Sequence, residues 1–98
     1  MGRPSADAIE LFRQGIAFHA DGNIDKAIVA LQAAQAEPTL RVACLHLLGQ
    51  CFLEKGWHQE AVDTFHVALD SCPDRDHGRR IELAARLEHA MNELNRKW

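Results

Sequence analysis

Ninety-eight residues suffice for one domain, and a chain of that length buries only about 60–65% of the surface it exposes when unfolded. Its core has to be economical. A content of 47% hydrophobic and 26% charged residues, with 6 Gly and 3 Pro, argues against disorder. Net charge is −3, the pI is about 6.0, and the basic residues are scattered. The one doublet, Arg79-Arg80, sits among Asp74, Asp76 and Glu82. That pattern offers no stripe along which to track phosphates and speaks against a nucleic-acid partner.

Hydropathy is equally restrictive. No apolar run approaches the ~20 residues that span a bilayer, and the start, Met1 to Asp7, lacks a signal-peptide core. No membrane insertion and a cytoplasmic location are expected. Met1-Gly2 suggests myristoylation, but that signal requires Ser or Thr where this chain has Ala6. Cys44, Cys51 and Cys72 are an odd set without framework spacing. Cys44 and Cys51, seven apart on one helix, would hold their Cα atoms about 10 Å apart, too far for a disulfide. Buried small hydrophobes in a reducing compartment are expected.

Apolar spacing predicts a helix at 6–20, where Leu11, Gly15 and Phe18 form one stripe. Ile9, Phe12 and Ile16 add a second apolar row on the same helix. A short helix apolar on two faces must bury both or offer one to a partner. Gly22 stops this helix by taking the left-handed conformation of a C-cap. A second helix follows at 24–36, with Ala27, Leu31 and Ala34 forming a narrow seam. Pro38 closes the unit. Helices at 41–54 and 58–71 repeat the arrangement, ended by Pro73. From Asp76 to Asn95 a fifth helix sets Leu83, Ala84, Leu87, Ala90, Met91 and Leu94 on one face.

Shifting the chain by 34 places superposes Leu11 on Leu45, Gly15 on Gly49, Phe18 on Phe52 and Gly22 on Gly56. Ala27 falls on Ala61, Leu31 on Phe65 and Ala34 on Ala68. Gly is a poor helix former, costing about 1 kcal/mol against Ala. Its recurrence at 15 and 49 predicts close approach of a neighbouring helix.

The pattern Leu-x3-Gly-x2-Phe, Ala-x3-Leu/Phe-x2-Ala, then Pro resembles the tetratricopeptide repeat. Residues 8–41 and 42–75 match it twice, and 76–96 is similar to a half repeat serving as a capping helix. Departures occur at Leu11 and Leu45, where an aromatic is common, at Gln14, where Leu is usual, and at Trp57, where a small polar residue is typical. The resemblance implies an all-α, short right-handed α-solenoid of antiparallel helix pairs, here five helices in a single domain over 1–98. It also implies that the first helices of successive repeats line a concave groove. Carried over, the groove positions are Ile9, Phe12, Ile16, His19 and Ala20, then Ala43, His46, Gln50, Leu53 and Glu54. With one residue inserted in the preceding loop, the cap adds Ile81, Ala85, Glu88 and His89.

Some tetratricopeptide domains hold a chaperone's carboxylate tail with Lys, Arg and Asn in this groove. Phe12, Ile16 and Gln50 occupy those places here and argue against that ligand. An amphipathic helix or extended apolar peptide is expected instead, with Phe12 among the anchors.

No metal, cofactor or catalytic site is expected. The six His include no i, i+4 pair, and no Cys-x2-Cys occurs. His89 with Glu93 is the nearest approach to a chelate. The cysteines fall inside helices, away from the N-termini that lower a thiol pKa. Trp57 is expected to shield its turn, and Trp98 to fray or pack on the cap. The sequence therefore predicts a module that binds a peptide or helix of another protein. The alternative is self-association into a homodimer, through Phe12 and Leu53 in the groove or through Leu83, Leu87 and Met91 at the stack end. A small secretion-type chaperone is a third reading.

Overall fold

The computed structural model describes residues 5–96. The readings made for Met1-Gly2 and for Trp98 lie outside them. Five α-helices follow in order: α1 Ala6–Ala20, α2 Ile24–Ala34, α3 Arg41–Glu54, α4 His58–Ser71 and α5 His77–Asn95, with a 3-10 turn Pro38–Leu40 before α3. No strand occurs among the described residues. Each helix packs on the next, α1 on α2, α2 on α3, α3 on α4 and α4 on α5. This all-α arrangement fits the helix-pair stacking of a tetratricopeptide-like solenoid.

The two tight turns are near copies. Gly22 has φ +80° and Gly56 φ +79°, the conformation an L side chain resists. In the first, the Gly22 N–H donates to His19 O at 3.0 Å and Asn23 N–H to Phe18 O at 2.8 Å. In the second, Gly56 N–H donates to Leu53 O at 3.0 Å and Trp57 N–H to Phe52 O at 2.8 Å. Both are Schellman closures, which satisfy carbonyls that a helix end leaves free.

Trp57 is explained by the same motif, in which the second residue beyond the cap touches the third from the helix end. Its ring stacks on Phe52 at 5.9 Å, and the Lys55 ammonium lies 5.4 Å from its centroid. Asn23, at the matching place, instead caps α2 by accepting from Lys26 N–H. Trp57 thus exchanges a helix cap for ring stacking over the turn. Pro73 likewise ends the second unit, and the Arg80 guanidinium closes α4 by donating to Leu69 O at 3.1 Å and Cys72 O at 2.9 Å.

Both buried glycines mark close approaches. A Cβ at Gly15 would stand 2.7 Å from Leu31 Cγ, and one at Gly49 would stand 2.5 Å from Phe65 Cε1. Leu31, Phe65 and the flanking Ala27, Ala34, Ala61 and Ala68 are fully buried. The small residues let each helix pair close around one large side chain.

Burial follows the number of neighbours. Helix α3 has α2 on one side and α4 on the other, and its Cys44, Leu48 and Cys51 are at most 2% exposed. Helix α1 packs chiefly on α2, and the matching Glu10, Gln14 and Ala17 are exposed. Gln14 departs from the repeat pattern because its position faces water. Leu45 and Phe52 are buried for the same reason that Leu11 and Phe18 are only half-buried. On α5, Leu83 and Ala90 are fully buried and Leu87 and Leu94 half-buried, whereas Ala84 and Met91 are exposed, which removes them from the packing face expected for this helix.

Candidate functional site

Helices α1, α3 and α5 each turn one face toward a shared hollow of about 260 Å³. Phe12 and Ile16 come from α1, one turn apart. Ala43, His46, Leu47 and Gln50 come from α3 at the i, i+3, i+4, i+7 spacing of one helix face. Arg79 and Arg86 come from α5, two turns apart.

The apolar row on α1 remains open among the described residues. Ile9 is 42% and Ile16 44% exposed, while Phe12 is half-buried. The capping helix does not cover it. Leu53 is half-buried against the core rather than lining the hollow. His19 and Glu54 meet at the far end, with Nε2 and Oε2 2.6 Å apart, tying the last turn of α1 to that of α3. Ala20 is exposed beside them.

Ile81 and Ala85 do not line this hollow; Arg79 and Arg86 do. Burial of Leu83 and Ala90 fixes the rotation of α5. At about 100° per residue, Ile81 and Ala85 then point nearly opposite to Leu83, whereas Arg79, Glu82 and Arg86 share the flank toward α3. Ile81 is 71% exposed and borders a separate hollow with Leu69, His77, Arg80 and Ala84. Glu88 and His89 are exposed.

A polar network joins α3 to α5. Arg79 Nη1 donates to His46 Nδ1 at 2.9 Å, and Arg86 Nη1 donates to Gln50 Oε1 at 3.1 Å. Glu82 Oε2 lies 3.7 Å from His46 Nε2 and 3.7 Å from Arg86 Nη2. A guanidinium only donates, so Nδ1 must carry a lone pair and the proton of neutral His46 sits on Nε2. The ring lies T-shaped to that of Phe65, with centroids 6.4 Å apart. Burial lowers the His46 pKa from its ordinary 6.5, with Arg79 and Arg86 acting the same way and Glu82 opposing.

All three cysteines are buried free thiols. Burial pushes Cys44 and Cys51 up to about 11, so neither presents a thiolate near neutral pH. Among the described residues no group of three or more His, Cys, Asp or Glu side chains converges as a metal site would require. No described helix is long and apolar enough to cross a membrane.

Sequence reasoning missed Arg79, Arg86 and Leu47. The available signal was the i, i+7 spacing of the two arginines on the flank of α5 next to its leucine face. Fixing their side of the helix required knowing which leucine was innermost.

Over 73 residues the chain is 32% identical to the photosystem I assembly protein Ycf3 of Acaryochloris marina (strain MBIC 11017). The alignment takes in 71% of this chain and 44% of that protein, so the chain spans less than half the length of the curated relative it matches. No protein-family model matches the chain, and no solved structure does.

Proposed function

We propose that this chain is a tetratricopeptide-type interaction module without enzymatic activity. It holds a segment of a partner protein on the concave surface of α1, α3 and α5 and so serves the assembly of a larger complex. The open apolar row Ile9, Phe12 and Ile16 beside a hollow floored by Ala43 and Leu47 carries this reading. Exposed aliphatic and aromatic side chains of this kind gain about 25 cal/mol per Å² when a partner covers them. Likeness to Ycf3, by name an assembly protein, supports the assembly role.

Self-association is the second reading, and it rests on the two ends of the stack. One end carries a hollow of about 260 Å³ bordered by Leu11, Phe18 and Val29; the other exposes Ile81 and Met91 on α5.

Panning a library of displayed random 16-residue peptides on the native chain and on Ile16→Asp tests the first reading. Ile16 is 44% exposed, so the variant keeps its fold, verified by circular dichroism. Peptides enriched on the native chain alone support the reading; equal enrichment, or none, refutes it. Light scattering over a hundredfold dilution tests the second, which fails if the native chain is monomeric throughout.

A further inference from the structure

The partner's chemistry is legible in the charges around the hollow. Arg86 is matched within the molecule by Glu82 and Gln50. Arg79 is not. Its guanidinium meets neutral His46, and although Asp76 accepts from the Arg79 backbone N–H at 3.2 Å, among the described residues no carboxylate lies within 4.0 Å of the guanidinium as an ion pair. It is half-buried. A guanidinium with five donors, one engaged by a neutral ring, is an incomplete electrostatic arrangement that an incoming anion completes.

Arg79 also stands between two hollows. It and Ala43 border both the first hollow and a second one of about 420 Å³, edged by Pro38, Val42, Pro73 and Arg75 at the loop end of the stack. The cation therefore joins a largely apolar hollow to a more polar one. Arg75 and Asp76 at the second hollow offset one another, as do Arg86 and Glu82 beside the first, which leaves Arg79 as a surplus of one positive charge. A single carboxylate on an otherwise apolar segment fits that surplus.

We propose that the occupant is an amphipathic partner segment that seats one large apolar side chain among Phe12, Ile16 and Leu47 and sets an Asp or Glu carboxylate on Arg79. The proposal rests on the binding reading above and adds the partner's chemistry to it. The carboxylate accepts from the guanidinium N–H groups not used by His46, and the apolar side chain removes Ile16 and Phe12 from water.

Peptides from the panning experiment test it, measured as synthetic 16-mers by titration calorimetry. Enriched sequences should pair a large apolar residue with Asp or Glu within about one helical turn. Arg79→Gln keeps a donor for His46 and removes the charge, and should weaken binding about tenfold or more. Changing the peptide acid to its amide should cost the same, with no further loss when both changes are combined. The peptide-side change leaves the protein untouched, so the comparison survives any folding defect of Arg79→Gln. Binding that Ile16→Asp abolishes while Arg79→Gln and the amide peptide leave it unchanged overturns the proposal and spares the binding reading. Absence of any peptide that prefers the native chain to Ile16→Asp removes both. A native dimer that Ile16→Asp dissociates makes the occupant a second copy, which also overturns the proposal.

Discussion

Replacing Gly49 by Ala puts the repeat geometry under direct test. An added Cβ would stand 2.5 Å from Phe65 Cε1, 2.6 Å from Cζ and 2.8 Å from Cδ1. Three ring atoms would thus lie within a distance that real carbons do not tolerate. Phe65 is fully buried with the His46 ring against it, so the phenyl ring must shift within a filled core. Overpacking of this kind costs roughly 1–3 kcal/mol, while Gly→Ala in a helix interior returns about 1 kcal/mol. The net expectation is a change between about zero and a loss of about 2 kcal/mol, or up to roughly 15 °C in Tm for a domain of this size. Urea unfolding followed by circular dichroism measures it. Gly78→Ala is the control: it meets nothing within 4 Å and should be neutral or stabilising. A Gly49→Ala protein stabilised by the full gain of about 1 kcal/mol that Gly→Ala brings in a helix interior would refute the close approach.

Further outcomes follow from the same geometry. Gly22→Ala and Gly56→Ala meet no neighbour within 4 Å but require φ near +80°, so each should cost about 1 kcal/mol through the backbone alone, read from the same urea curves. The folded His46 pKa lies below its ordinary 6.5, so the unfolded chain binds more protons in acid. The His46 contribution is present above that value and is lost as pH falls through the folded pKa. His46→Gln should therefore flatten the decline in stability between pH 7 and pH 5, and an NMR titration should find the native ring charging below 6.5. With Cys44 and Cys51 buried and raised to about 11, iodoacetamide at pH 8 should leave both unmodified in the native chain and react after guanidinium unfolding, as read by mass spectrometry; rapid native labelling would contradict their burial.

Helix positions were legible because the repeat writes each signal twice. Gly22 and Gly56 punctuate the turns, Gly15 and Gly49 demand a close neighbour, and the expected helices at 6–20, 41–54 and 58–71 match the observed limits. The second helix ends two residues earlier than expected, at Ala34, and the fifth begins one later, at His77. The fifth helix was harder to read. Carrying a register across an inserted loop residue placed Ile81 and Ala85 in the groove, whereas Arg79 and Arg86 are the α5 residues that line the hollow. Half-burial of Leu11 and Phe18 was likewise invisible to a pattern that treats every repeat alike, because it depends on how many neighbours a helix has.

The central claim is that partners bind on the concave face of α1, α3 and α5. Isotope-filtered NMR of the methyl-labelled chain with a peptide selected on it is the most direct measurement. The account predicts intermolecular contacts from the peptide's apolar side chain to the Ile16 and Leu47 methyls. Contacts to Leu11 and Val29, or to Ile81 and Met91, would place the interaction at an end of the stack and contradict it.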